Sequence, residues 1–157
     1  MANYGYGNLD VAVTDERIFE LLKECNEKHF NGMLNIENFH VEDGLYFTVF
    51  AGNVRVFECW LSNDKTLEYQ HGHGSSVGWW IDGFMSSYVV DHIGGNITDD
   101  GHDCVVKPDF YKRFPTYKDY LEMKKSHMTN WLQWYRMIFD LDKHDYTKEF
   151  LKHIKGG

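Results

Sequence analysis

Hydrophobic and polar positions alternate along two stretches in the middle of the chain, as they do in half-buried strands. Residues 45–50 and 54–61 are rich in aromatic and β-branched side chains, which favour strands. Each stretch follows a turn pair, Asp43-Gly44 and Gly52-Asn53, and Asp-Gly is a favoured hairpin turn because both of its residues accept a positive φ. Together with a strand before Asp43, this pattern predicts a three-stranded antiparallel meander, to which residues 66–69 can add a fourth strand.

Elsewhere the hydrophobic residues recur every three or four positions, which is typical of helices packed on one side. The spacing predicts a helix over 15–29, with Thr14 as its N-cap. A second helix is predicted over 79–93, where Gly83 costs about 1 kcal/mol relative to alanine and marks a close contact. A third helical region begins near Thr116, where an Asp three residues later completes a capping box, and its pattern continues to about residue 141 as one long helix or two abutting ones.

Strands early in the chain and helices later predict the α+β class. The length of 157 residues fits one domain over residues 1–157, an antiparallel three- to four-stranded meander packed against helices. Residues 1–8 are polar and rich in glycine, so a flexible N-terminal segment is predicted there. Residues 9–13 alternate and predict a short strand before the first helix. Residues 96–103 are predicted to form an acidic turn.

Charge is divided unequally along the chain. The net charge is −8, but residues 1–104 carry 17 acidic and 5 basic residues, whereas residues 105–157 carry 7 and 11. An acidic majority repels phosphate groups, which argues against a partner made of duplex nucleic acid. Either the two portions neutralise each other across a packed interface, or an acidic face attracts a partner with a basic surface.

Several classes of protein are excluded by simple patterns. No apolar run approaches the ~20 residues that cross a bilayer, and the N-terminus lacks the apolar region of a signal peptide, so we expect a cytoplasmic protein with no membrane partner. The three cysteines, Cys25, Cys59 and Cys104, form no CxxC pair, which favours reduced thiols. No phosphate-binding or dinucleotide-binding loop is present, and no cofactor is expected.

The sharpest local motif is His71-Gly72-His73. In an extended segment both imidazoles lie on one side, and His102 with a neighbouring aspartate could complete the three or four ligands that Zn²⁺ or another divalent metal needs. In cupins a Glu follows HxH within a few residues, and in metallo-β-lactamases HxH is followed by an Asp and a His. Neither continuation is present here. The alternative without a metal is a loop of solvated or locally hydrogen-bonded histidines.

The same loop also spells GxSxG around Ser76, between a predicted strand and a predicted helix. This is the setting of a nucleophile elbow, but that fold needs a larger parallel sheet than 157 residues provide. The alternative function is therefore a metal-assisted or serine-type hydrolase with His71, His73, Ser76 and His102 as its candidate residues.

The leading hypothesis is a small acidic protein-binding module, such as an inhibitor, rather than an enzyme. The chain contains 26 aromatic residues, or 17%, more than a domain of this size can bury, and aromatic anchors surrounded by charge are typical of interfaces. Mimicry of nucleic acid, with carboxylates in place of phosphates, is a special case. The acidic residues expected to contact a basic partner are Asp43, Glu58, Asp64, Glu68, Asp99, Asp100 and Asp103.

Overall fold

A seven-stranded antiparallel sheet and four helices form the part of the chain that the computed structural model describes, residues 4–42, 44–71, 76–99, 105–133 and 135. The strands are β1 (Tyr4–Leu9), β2 (Leu34–Val41), β3 (Gly44–Ala51), β4 (Val54–Asn63), β5 (Thr66–His71), β6 (Gly95–Asp99) and β7 (Val105–Val106). The helices are α1 (Asp15–Phe30), α2 (Ser76–Ile93), α3 (Phe110–Arg113) and α4 (Tyr117–His127).

The strands lie in the order β2-β3-β4-β5-β1-β6-β7. Four consecutive strands, β2 to β5, form the predicted meander, and the α+β class is confirmed. The prediction of three or four strands in the whole sheet is wrong, because β1, β6 and β7 extend it to seven. Residues 96–99, the first part of the acidic turn predicted over 96–103, instead lie in β6, which pairs with β1.

The N-terminal residues 4–8, predicted to be flexible, instead lie in β1 between β5 and β6. The strand carries glycine where its side chains would face the helices. A Cβ built at Gly5 would lie 2.3 Å from the Tyr69 ring, and one at Gly7 would lie 2.6 Å from Val90. The neighbouring side chains fill the space, so this core strand lacks the hydrophobic alternation that would have predicted it. Of residues 9–13, which were predicted to form a short strand, only Leu9 lies in a strand, as the last residue of β1.

The core lies between one face of the sheet, called here the inner face, and α1 and α2. Helix α2 is buried on nearly all sides and contacts β1, β4, β5 and β6 as well as all three other helices. Among the described helices, none combines the length and apolarity needed to cross a membrane.

The helix ends follow the predicted capping. Thr14 caps α1 and its hydroxyl accepts a hydrogen bond from the Arg17 N–H at 3.3 Å. Thr116 and Asp119 form the complete capping box of α4. A single long helix from this box is not formed, because α4 stops at His127 and residue 128 has an extended backbone. Residues 131–133 and 135 are helical again, as in the alternative of two abutting helices.

A bulge in β4 changes which side chains share a face of the sheet. Val49 pairs with Phe57 but Phe50 pairs with Arg55, so Val56 is the extra residue. Both Val56 and Phe57 are fully buried. Strict alternation would place Arg55 beside Phe57, whereas the bulge lets Arg55 reach Glu58, with Nη1 3.6 Å from Oε2.

Candidate functional site

The face of the sheet opposite the core, called here the outer face, carries one row of directly paired residues that crosses all seven strands. The register joins each member to the next on the neighbouring strand. Three adjacent members are aromatic, and a carboxylate follows them. From β2 to β7 the row is Phe39, Tyr46, Trp60, Glu68, Tyr6, Thr98 and Val105.

The aromatic part of this row is a continuous ladder. The Tyr46 and Trp60 rings stack with centroids 4.7 Å apart and planes 7° from parallel. Phe39 lies 5.6 Å from Tyr46, and Tyr4 meets the Trp60 ring edge to face at 6.3 Å. Offset stacked and edge-to-face pairs are the favoured geometries of aromatic rings, so each ring holds its neighbour in place.

Carboxylates lie directly against the ladder. The Trp60 indole N–H donates to Glu68 Oε2 at 2.8 Å. In the next row, the Thr48 hydroxyl donates to Glu58 Oε2 at 3.0 Å. Thr48 also pairs with Glu37 across β2 and β3. The outer face thus presents three carboxylates, with Arg55 as the cation paired to Glu58.

Exposure distinguishes the two faces of the sheet. On the inner face Phe47, Cys59 and Leu67 are completely buried. On the outer face Phe39 is 43% exposed, and Trp60 is partly exposed. Burial, and secondarily the charge of Glu58, raise the pKa of the Cys59 thiol behind the ladder. Apolar rings that remain accessible beside carboxylates are suited to contact another molecule.

The structure brings together two of the seven acids proposed from the sequence. Glu58 and Glu68 lie on neighbouring strands of the outer face. Asp64 is exposed in the turn between β4 and β5, away from the ladder. Asp99 ends β6, where its backbone pairs with Gly5. Asp43, Asp100 and Asp103 lie outside the described residues.

The aromatic members of the site were missed from the sequence. Tyr46 and Trp60 belong to the predicted strands, but strict alternation put Val54 and Val56 on the same face as Trp60 and made that face appear covered. The tight turn at Gly52 could have revealed this accessible face, because a hairpin turn fixes which residues of β3 and β4 lie opposite each other. That turn sets Tyr46 and Trp60 opposite each other once the extra residue in β4 is allowed for.

The histidine and serine residues of the alternative site lie near the end of β5. His71 is the last residue of β5, opposite Phe57, and Ser76 is the first residue of α2. His73 and His102 lie outside the described residues. Within the described ranges, no three His, Cys, Asp or Glu side chains gather as a metal site would require. The metal and serine chemistry therefore stays a prediction.

An ion pair joins Lys112 of the basic C-terminal portion to Asp91 of the acidic portion. Lys112 Nζ lies 3.3 Å from Asp91 Oδ2, and the Tyr111 hydroxyl donates to the same oxygen. Burial favours the neutral form of Asp91, but the two hydrogen bonds prevail and lower the pKa of this carboxyl. This contact lies on α2, so it neutralises none of the carboxylates of the outer face.

Comparison of the chain with protein family models, with curated proteins and with solved structures finds no match. Function is therefore inferred from the geometry of the outer face and from the chemistry of its side chains.

Proposed function

We propose that the chain is a small acidic protein-binding module that acts on a partner with a basic surface, as an inhibitor does by occupying it. The observation that carries the proposal is the ladder Phe39–Tyr46–Trp60 set against Glu68 and Glu58 on the accessible face of the sheet. Large amphipathic rings supply contact area at little entropic cost, and the carboxylates supply charge complementarity.

An arginine of the partner is the side chain that this face fits best. A guanidinium group over an indole or phenol ring is attracted to the ring face, by roughly 0.5–2 kcal/mol depending on burial. Glu68 lies beside the Trp60 ring, so the same guanidinium can also donate charge-assisted hydrogen bonds to a carboxylate. Lysine would make the charge contact but not the planar stack.

The charge of the outer face also separates a protein partner from nucleic acid. Three carboxylates against one arginine would repel phosphate groups, although exposed rings on a sheet could otherwise stack on bases. Nucleic-acid mimicry is the special case in which the basic partner surface is itself a nucleic-acid site. In that case a short DNA duplex would compete with this chain for the partner.

The proposal is tested by affinity capture from the native host and by titration with the proteins captured. Wild-type chain should retain basic proteins at low salt. Raising the salt from 0.1 M to 1 M shortens the Debye length from about 10 Å to about 3 Å and should weaken the binding. Trp60→Ala should weaken it by about 2 kcal/mol, or about thirtyfold, as truncation of a central aromatic anchor does.

Matched controls distinguish binding through the outer face from general effects of removing a charge or an aromatic ring. Trp131 is 71% exposed and belongs to none of the strands, so Trp131→Ala should leave capture unchanged. Glu16→Gln on α1 removes the same charge as Glu68→Gln, but only the latter should weaken binding. Capture that resists salt, or that survives Trp60→Ala and Glu68→Gln in variants with native near-UV circular dichroism, would refute the proposal.

A further inference from the structure

Strand β2 forms one edge of the sheet, and only β3 pairs with it among the described strands. It runs for eight residues, whereas β7 at the opposite edge has only two. A long edge strand exposes unpaired backbone groups that can pair with another chain, and proteins commonly interrupt such edges with proline, lysine or a bulge. Strand β2 contains neither proline nor lysine, and it pairs with β3 in an unbroken register.

The hairpin between β2 and β3 fixes the direction in which each β2 residue forms backbone hydrogen bonds. Val41 and Gly44 are paired across a two-residue turn, and the pair that flanks such a turn exchanges backbone hydrogen bonds. Because hydrogen-bonded and non-hydrogen-bonded pairs alternate, the odd-numbered residues of β2 bond to β3 and the even-numbered residues point their backbone groups away from it. Leu34 has this direction, since its N–H and its carbonyl both bond to the Asn26 side chain.

Three positions of this edge are open. The Asn26 side chain closes the edge at Leu34, and the hairpin turn closes its other end. Between these limits lie Ile36, Asn38 and His40, whose outward backbone groups have no hydrogen-bond partner among the described residues. Asn38 and His40 are exposed and Ile36 is partly exposed, so the edge is accessible to a further strand.

We infer that β2 is a dimerisation edge, on which β2 of a second copy of this chain pairs antiparallel about a twofold axis at Asn38. In that register Ile36 lies opposite His40 of the second copy, and the two Asn38 residues lie opposite each other. Each of these facing pairs exchanges two backbone hydrogen bonds, so every open backbone group on both edges gains a partner. Other antiparallel registers leave part of the edge unpaired, because only Asn38 lies midway between its two ends.

The side chains of β2 suit this register. Glu37 is the only acidic residue of the strand, and it lies opposite Phe39 of the second copy, so no like charges face each other where they would destabilise the pairing. Phe39 is 43% exposed, and the methylene groups of Glu37 can cover part of its ring. The dimer is independent of the proposed protein partner, because backbone groups at the sheet edge hold it together.

Sedimentation velocity of the full chain tests the dimer directly. Over concentrations from about 1 μM to about 1 mM, which cover weak and moderate dissociation constants, the mass should rise from that of one chain toward that of two. Each chain carries a net charge of −8, so added salt should strengthen the dimer, whereas it should weaken the proposed contact with a basic partner. Amide hydrogen exchange should slow with concentration at Ile36, Asn38 and His40 but not at Glu37 and Phe39, which β3 already protects.

Charge variants at the twofold axis assign the dimer to this edge. Asn38→Lys and Asn38→Asp should each weaken it by about fivefold, because two like charges then face each other, and an equimolar mixture of the two variants should dimerise at least as tightly as the wild type. Asn35→Lys adds the same charge to an exposed position of the same strand but faces Val41 of the second copy, so it should change the affinity by less than about twofold. A monomer at every concentration, slowed exchange elsewhere than at the three open positions, dimerisation that survives Asn38→Lys, or a mixture that stays monomeric would overturn the inference.

Discussion

The Tyr69 ring occupies the space that a side chain at Gly5 would need. A Cβ at Gly5 would lie 2.3 Å from Cζ and 2.5 Å from the hydroxyl oxygen of Tyr69, and the two residues pair directly across β1 and β5. Tyr69 is 2% exposed. At this position of β1, the side chain that fills the core therefore comes from the neighbouring strand β5 and not from β1 itself.

Replacing Gly5 with alanine should destabilise the protein by about 1–3 kcal/mol, as overpacking of a close-packed core does. The measurement is urea unfolding followed by tryptophan fluorescence. Gly78→Ala is the matched control, because its nearest neighbour lies at 3.7 Å, an ordinary contact, and because alanine favours a helix by up to about 1 kcal/mol. Equal destabilisation by both substitutions would contradict the packing assigned to Gly5.

A buried amide joins α1 to the start of β2. Asn26 Nδ2 donates to the Leu34 carbonyl at 2.9 Å, and Asn26 Oδ1 accepts from the Leu34 N–H at 3.0 Å. Asn26→Ala leaves two buried backbone groups without these partners, and each costs about 1–3 kcal/mol. We expect a loss of about 2–4 kcal/mol in the free energy of unfolding, measured in urea. Asn35→Ala, at an exposed position, should cost less than about 0.5 kcal/mol.

Tyr111→Phe should raise the pKa of Asp91, because the hydroxyl that donates to its carboxylate is removed. A carboxyl whose pKa is lowered by folding adds stability above its unfolded pKa of about 3.9, and that stability is lost as pH falls through the lower folded value. The variant should therefore lose less stability between about pH 4 and pH 2 than the wild type. The pKa is read from the side-chain carboxyl ¹³C shift.

Lys112→Gln provides the comparison for this titration. Its side chain is 62% exposed, so solvent screens its charge and its removal should raise the pKa of Asp91 less than Tyr111→Phe does. A larger effect of Lys112→Gln than of Tyr111→Phe would show that the charge of Lys112, rather than the hydrogen bond from the Tyr111 hydroxyl, controls the pKa of Asp91.

Two thiols should be protected from reagents in the folded protein. Cys25 and Cys59 are completely buried, and burial, together with a neighbouring glutamate in each case, raises the pKa of both thiols. Since the thiolate is the reactive form, neither should be alkylated by iodoacetamide at pH 8 until urea unfolds the chain. Site-resolved mass spectrometry reads each cysteine separately, and modification of Cys59 under native conditions would contradict its place behind the ladder.

Local signals in the sequence predicted the elements whose side chains alternate or recur regularly. The hairpin at Gly44, the N-cap Thr14 and the capping box at Thr116 all lie where they were predicted. Strand β1 could not be predicted in this way, because its inward positions are Gly5 and Gly7 and the apolar contact comes from residues distant in the chain. Long-range packing, rather than local propensity, makes it a strand.

The candidate site, like the fold, could be predicted from the sequence only in part. The sequence identified acidic character and a surplus of aromatic residues, and it singled out Glu58 and Glu68. Alternation placed Trp60 on the same face as Glu58, but it also placed Val54 and Val56 there and made that face appear covered. The inserted residue Val56 reverses the alternation of the first part of β4, so those valines do not share the face of Trp60. A single bulge is invisible to a period-two pattern, yet it decides which side chains share a surface.

Helix α2 has a consequence for how the chain unfolds. It contacts the sheet through four strands and also contacts the helices that come before and after it in the chain. If α2 detaches, the surfaces that the strands and the other helices bury against it become exposed to solvent. Loss of structure should spread through the described part of the molecule in a single cooperative transition, with no half of it persisting as an autonomous folding unit.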